Sequence, residues 1–216
     1  FNLLSNMAGY REINKWERKL NFIKEALRRR DLSFLTYRLK WNLATKYKLL
    51  LKFPVHIDIE INSNCNYRCI MCPHGTGAMR NDLPMMSFDM VKRILDELAQ
   101  NKVYSIKLNW RGEPALHPQL AEIVAYAKKV GIKEVQINTN GFAFDEQKIR
   151  NLILSGIDRV IFSLDATTPE VYSKIRIGGD YNRVVKNIKT FDRIRKELKR
   201  EKPFLRVQMV RMELNK

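Results

Sequence analysis

Long apolar runs are missing from this sequence. No stretch of eighteen uncharged apolar residues occurs in its 216 residues, so no transmembrane segment is expected. Cysteine is scarce. All three sit within eight positions, Cys65 to Cys72, which excludes a disulfide framework and argues for a reducing compartment, the cytoplasm. No basic n-region followed by an apolar h-region opens the chain. Low-complexity linkers and internal repeats are also absent. The chain opens on Phe1 and stops at Lys216 just after a strand-like run, so a fragment truncated at both ends is expected.

Acidic residues are too few to balance the basic ones. Against 40 Lys and Arg stand 23 Asp and Glu, a net charge of +17. Residues 1–54 hold thirteen of those cations and four acids, and residues 182–202 hold nine and three. Such a charge is compatible with contact to nucleic acid or an anionic membrane surface, but it says nothing of fold. No nucleic-acid module is recognisable in either run, and solvated helix faces are the preferred reading.

What is present is periodicity. Residues 1–53 form a basic helical extension on this reading. Ile13, Trp16, Leu20, Ile23 and Leu27 recur at helical spacing. Asp31 then caps a second helix with Leu32, Leu35, Leu39, Leu43 and Tyr47 on its apolar side. Packing of this extension on the core is preferred over a membrane or polyanion contact through Arg28, Arg29 and Arg30. Pro54 opens the second region, residues 54–216.

There, strand and helix patterns alternate. Strands are expected at Ile57–Asn62, Tyr104–Leu108, Val135–Asn138, Arg159–Leu164 and Leu205–Met209. The helix after Ser87 buries Met90, Val91, Ile94, Leu95 and Leu98. Others begin at His117 and Asp145, ending at Gly131 and Gly156; a short one starts at Pro169 and a long one near Asn182. Five strands with a helical crossover between each pair make a parallel α/β sheet, with its site at the strands' carboxyl ends.

The cysteines stand at spacing C-x₃-C-x₂-C, in Cys65-Asn66-Tyr67-Arg68-Cys69-Ile70-Met71-Cys72. Soft thiolates select zinc, copper(I) or an iron–sulfur cluster. A zinc site adding His74 is the competing arrangement, strained by the short link through Pro73. Three further motifs follow: Arg111-Gly112-Glu113-Pro114, Asn138-Thr139-Asn140-Gly141 and Phe162-Ser163-Leu164-Asp165. Together, over residues 54–216, these resemble the radical S-adenosylmethionine (radical SAM) superfamily, and within it the subgroup carrying a C-terminal SPASM or twitch auxiliary-cluster domain.

The resemblance implies a partial (β/α)₆ barrel and two cofactors, a [4Fe–4S] cluster and S-adenosyl-L-methionine (SAM). Cys65, Cys69 and Cys72 are then the iron ligands. Gly112 and Glu113 cradle the SAM amine, Asn138 and Asn140 line the SAM site unless Asn140-Gly141 only makes a turn, Ser163 meets the ribose and Arg176 pairs with the carboxylate. Arg111 departs from the family's usual glycine, and Met71 from its usual aromatic; Tyr67 and Trp110 are candidate stacking residues. Ser163 and Asp165 are expected on one side of strand 4. The implied activity is hydrogen abstraction, by a 5′-deoxyadenosyl radical, from a peptide, protein or sugar-like substrate. An electron donor such as a flavodoxin or ferredoxin is the implied partner. Two alternatives stay open: an RNA-modifying radical SAM enzyme, and a non-enzymatic zinc-stabilised binding module. No catalytic acid or base is evident.

Overall fold

The structure, a computed structural model, describes Trp16, Glu17, Leu20, Ala26 and residues 32–216. Ile13, Ile23, Leu27, Asp31 and the arginines at 28–30 lie outside the described residues. The chain divides into two units, Phe1–Val55 and His56–Lys216. In the first, helix α1 spans Leu32–Tyr47. Its leucine face is not the buried one: Leu32, Leu35, Leu39, Leu43 and Tyr47 are all exposed, as are Trp16 and Leu20. The opposite face is buried instead, through Phe34 and Tyr37. Ring contacts at 6.4 Å (Phe34–Tyr37) and 6.3 Å (Tyr37–Trp41) tie that face together. Aromatic rings carry more apolar area than leucines and gain from edge contacts.

In the second unit five strands alternate with helices: β1 (His56–Asp58), α2 (Phe88–Gln100), β2 (Ser105–Lys107), α3 (Leu120–Lys129), β3 (Glu134–Thr139), α4 (Glu146–Leu154), β4 (Arg159–Ser163), α5 (Pro169–Ile175), α6 (Tyr181–Glu197) and β5 (Phe204–Gln208). The local reasons are ordinary. Ser87, Asp145, Thr168 and Asp180 cap α2, α4, α5 and α6 through their side-chain oxygens. Gly131 and Gly156, at φ +103° and +90°, stop α3 and α4. In α2 the stripe Val91, Leu95, Leu98 is buried and Met90 is exposed, contrary to expectation. One residue along a helix turns about 100°, and the i, i+4, i+7 stripe takes the core side.

The sheet is wholly parallel with order β1-β2-β3-β4-β5. Each crossover therefore advances by one strand in the same sense, the singly wound arrangement of a barrel arc, not the reversal of a doubly wound sheet. Register shows what the pleat does. Ile57 pairs with Ile106, and Ile106 with Val135; Ile137 pairs with Val160, and Thr139 with Phe162. Ile106, Val135, Ile137, Val160 and Phe162 are fully buried. The alternate positions make the other face, where Asp58, Lys107, Gln136, Asn138, Ser163 and Gln208 are half-buried and polar, while Ser105, Glu134 and the apolar Ile161 on the same face are buried. One face of the sheet is thus oily and the other mostly polar, with Ile161 and Phe204 as its apolar members.

β1 is shorter than the expected Ile57–Asn62 run. Ile59 still donates to the Lys107 carbonyl, but beyond it Asn62 takes over the backbone bonding through its side chain. The chain leaves the sheet there and enters the cysteine loop.

Candidate functional site

The cysteine loop, the Arg111-Gly112-Glu113 turn, the Asn138-Thr139-Asn140 segment and the Ser163-Leu164-Asp165 segment lie at the carboxyl ends of β1, β2, β3 and β4. Loops leave a parallel sheet there and side chains from several strands converge beside them.

Asparagines hold the loop before the first cysteine. Asn62 Nδ2 donates to the carbonyls of Asn64 (3.0 Å) and Glu113 (2.9 Å), while its Oδ1 accepts from Asn64 N (3.1 Å). The Asn64 side chain bonds both backbone groups of Leu83. Asn81 Oδ1 accepts from Cys65 N at 2.6 Å. Asn140 Nδ2 reaches Asn66 Oδ1 at 2.9 Å and so ties the end of β3 to the loop. A primary amide both donates and accepts, and few other side chains could make these bridges. The crowding of Asn62, Asn64 and Asn66 around Cys65 was the sequence signal for this network.

A second tether comes from the end of α5 and the residues just after it. Arg68 N donates to the Ile177 carbonyl (2.9 Å) and Ile70 N to that of Ile175 (3.1 Å). Tyr67 is buried, not stacked against an open site: its hydroxyl meets that of Tyr172 at 3.2 Å. Burial raises both phenols' pKa, that of Tyr172 to about 12. Gly179 lies against the hydroxyl end of the Tyr67 ring, where a Cβ would stand 2.5 Å from Cζ. Trp110, by contrast, is 59% exposed. The Lys107 ammonium and Arg111 guanidinium lie 5.6 and 5.4 Å from its ring centre.

Cys69 is buried and Cys65 and Cys72 are half-buried; none is in a disulfide. Burial pushes the Cys65 thiol up to about 11 and raises that of Cys69. Among the described residues no three His, Cys, Asp or Glu side chains gather tightly enough to chelate one ion. A zinc ion would need its sulfurs at about 2.3 Å, whereas the irons of a cube take one thiolate each. Neither ring nitrogen of His74 has a hydrogen-bond partner, and burial and then Arg68 lower its pKa.

The turn after β2 is pressed against the segment that enters the loop. A Cβ on Gly112 would lie 1.9 Å from the Asn62 carbonyl oxygen, so only glycine fits. Glu60 Oε1 accepts from Arg111 N (2.7 Å) and Gly112 N (3.0 Å). Glu113 is buried. Its carboxylate accepts from Thr139 Oγ1 (2.6 Å), Asn140 N (2.7 Å) and Ala115 N (3.0 Å), which locks β2 to β3. Burial still raises its pKa, with those donors and then Arg176 pulling the other way.

Asn138 N bonds Asn109 Oδ1 at 2.8 Å, but its own Oδ1 is buried and receives no bond from the protein. Ser163 Oγ accepts from Gln208 Nε2 at 3.1 Å. Asp165 does not continue the alternation begun at Ser163. Its φ of +56° turns the chain, and its carboxylate is buried against Arg176. Arg176 donates from Nε to Asp165 Oδ2 at 2.8 Å, from Nη2 to the same oxygen, and from Nη1 to Cys69 Sγ at 3.7 Å. The pairing of Arg176 with Asp165, and Glu60 and Thr139 as anchors, were not read from the sequence, because each partner lies on a different element.

These residues fit the two implied cofactors. Three thiols share one backbone-braced loop, glycine opens the turn beside it to close approach, and an orphaned acceptor on Asn138 calls for a donor that the protein does not supply.

The comparisons with known proteins agree. Residues 59–198 match the Radical SAM superfamily. A probable GTP 3′,8-cyclase of Methanococcus maripaludis is 35% identical over 132 residues, 60% of this chain and 43% of that protein. The chain thus spans less than half of that relative. The crystal structure of Streptococcus suis SuiB bound to precursor peptide SuiA superposes with a TM-score of 0.64 at 18% identity, covering 99% of this chain and 42% of the other. BtrN in complex with AdoMet and 2-DOIA gives 0.50 at 26% identity over 55% of this chain and 49% of the other. With its five-stranded arc of that barrel and its cysteine triplet at the head of the matched region, the chain belongs to the radical SAM superfamily, whose members use a [4Fe–4S] cluster and SAM.

Proposed function

We propose that the chain carries the cofactor-binding core of an enzyme that takes a hydrogen atom from a peptide, protein or sugar-like substrate. The observation supporting this most directly is the bracing of the cysteine loop against the ends of β2 and β3 through Asn62, Glu113 and Asn140. When bound, the [4Fe–4S] cluster supplies the electron that cleaves SAM to methionine and the hydrogen-abstracting 5′-deoxyadenosyl radical. Cys65, Cys69 and Cys72 each give one thiolate. Gly112 lets the turn approach the SAM amine, and Glu113 keeps acceptor capacity on Oε2 for it, where one donor is already bound. Asn138 offers its orphaned Oδ1 and Ser163 its hydroxyl to the nucleoside. Arg176 has unused N–H groups for the carboxylate.

The polar sheet face, with Asp58, Lys107 and Gln136 in register, orients the substrate. Lys107 and Asp58 are ion-paired at 2.7 Å, so this face is charged without a large net sign. A flavodoxin or ferredoxin in the cytoplasm is the fitting electron donor. A second reading, a nucleotide substrate, is favoured by Trp110. An exposed indole flanked by Lys107 and Arg111 suits a base and its phosphates, and the M. maripaludis relative is named for GTP.

Anaerobic reconstitution, metal analysis and EPR of the reduced protein test the reading. A [4Fe–4S]⁺ signal that changes on adding SAM is expected; stoichiometric zinc without such a signal overturns it. Deuterium passing from labelled GTP into 5′-deoxyadenosine decides for the nucleotide.

A further inference from the structure

Arg176 and Asp165 form a buried ion pair, 11% and 1% exposed. Burying two charges costs several kcal/mol per ion before their attraction repays it, and Asp165 also adopts a left-handed backbone at φ +56°. Val210 N donates to Asp165 Oδ1 at 2.7 Å, and Asn215 Nδ2 to its carbonyl at 2.9 Å, so the carboxylate is held from the segment after β5. Asp165 Oδ2 receives Arg176 Nε and Nη2, which leaves Nη1 aimed at Cys69 Sγ, 3.7 Å away. The backbone of Arg176 is fixed as well, by bonds from its N to Tyr172 O (2.7 Å) and from Gly179 N to its carbonyl (2.9 Å).

We infer that Arg176, held by Asp165, sets the reduction potential of the cluster ligated by Cys69. This rests on the radical SAM reading and goes beyond SAM binding. Reduction adds one negative charge to the cluster. A guanidinium donating to a ligand sulfur stabilises the more negative form, and hydrogen bonds to cluster sulfurs are an established lever on potential. The carboxylate does the opposite, partly cancelling the cation while fixing its direction. Arg176 is a positioning residue here, since it acts through Cys69. The two groups therefore have opposite signs, which separates an electrostatic role from a merely structural one.

The test is a potentiometric EPR titration of the reconstituted full-length protein as wild type, Arg176→Gln, Arg176→Lys and Asp165→Asn, each with iron counted. Arg176→Gln is expected to lower the ratio of reduced to oxidised cluster at a fixed poise about tenfold, equivalent to about 59 mV for one electron. Asp165→Asn is expected to raise that ratio, and Arg176→Lys to fall between wild type and Arg176→Gln. Unchanged potentials, or shifts of the same sign in Arg176→Gln and Asp165→Asn, overturn the inference. If Arg176→Gln holds no iron, Asp165→Asn decides: an upward shift supports, while no shift or a downward one overturns. Absence of a cluster from the wild type would instead count against the functional reading itself.

Discussion

Gly112 shows how much rests on one missing atom. Its backbone passes the Asn62 carbonyl so closely that a Cβ would sit 1.9 Å from the oxygen. The obstacle is backbone, which cannot swing aside as a side chain can. Gly112→Ala is therefore expected to cost at least about 1–3 kcal/mol, the range of overpacked sites, read from the denaturant midpoint. It is also expected to lower the iron retained after reconstitution, because Asn62 and the Glu113 carbonyl that it bonds would be pushed apart. An unchanged midpoint would mean that the turn relaxes freely. Glycine's place in the Gly112-Glu113-Pro114 triplet was legible in the sequence. The identity of what it touches was not, since Asn62 is fifty residues away.

At the scale of elements, helix α1 is the instructive one. It has two apolar faces, a leucine stripe and an aromatic cluster, and periodicity alone gives no rule for choosing between them. The structure buries the aromatics. Phe34→Ala is expected to lower stability by about 3–5 kcal/mol, as deletion of a buried ring does. Leu39→Ser on the exposed stripe should stay within about 0.5 kcal/mol. Thermal unfolding followed by circular dichroism checks both, and a costly Leu39→Ser would show the leucine stripe to be covered in solution. Met90 teaches the same lesson in α2, where one helical step separates an exposed residue from the buried Val91. By contrast Ser87, Asp145, Gly131 and Gly156 were readable as caps and stops, because capping is a local bond between near neighbours in sequence.

Linkage belongs to the whole molecule. Burial raises the pKa of Glu113 above its ordinary value of 4.5. Between that value and the raised one, the folded state holds a proton that the unfolded state has released, so stability falls as pH rises through this window. Below it the penalty is absent, and above it the penalty is complete. Glu113→Gln cannot ionise. It is expected to melt lower, because an amide cannot accept from both Thr139 and Asn140 as the carboxylate does, yet to show a flatter dependence on pH. Melting curves of the two proteins upward from pH 4.5 test this; equal slopes would mean that Glu113 remains charged throughout.

The sequence by itself determined the alternation of strand and helix, the parallel sheet and the cysteine triplet. Each depends on spacing along the chain, 2.0 or 3.6 residues for side-chain direction and a few residues for ligands on one loop. Only the tertiary structure decided which face of α1 is buried, that Tyr67 packs against Tyr172, and that Asp165 turns away from Ser163 to hold Arg176 against Cys69. Those outcomes depend on contacts between segments far apart in sequence. A buried charge or ring finds its partner by position in space, and no local pattern records that position.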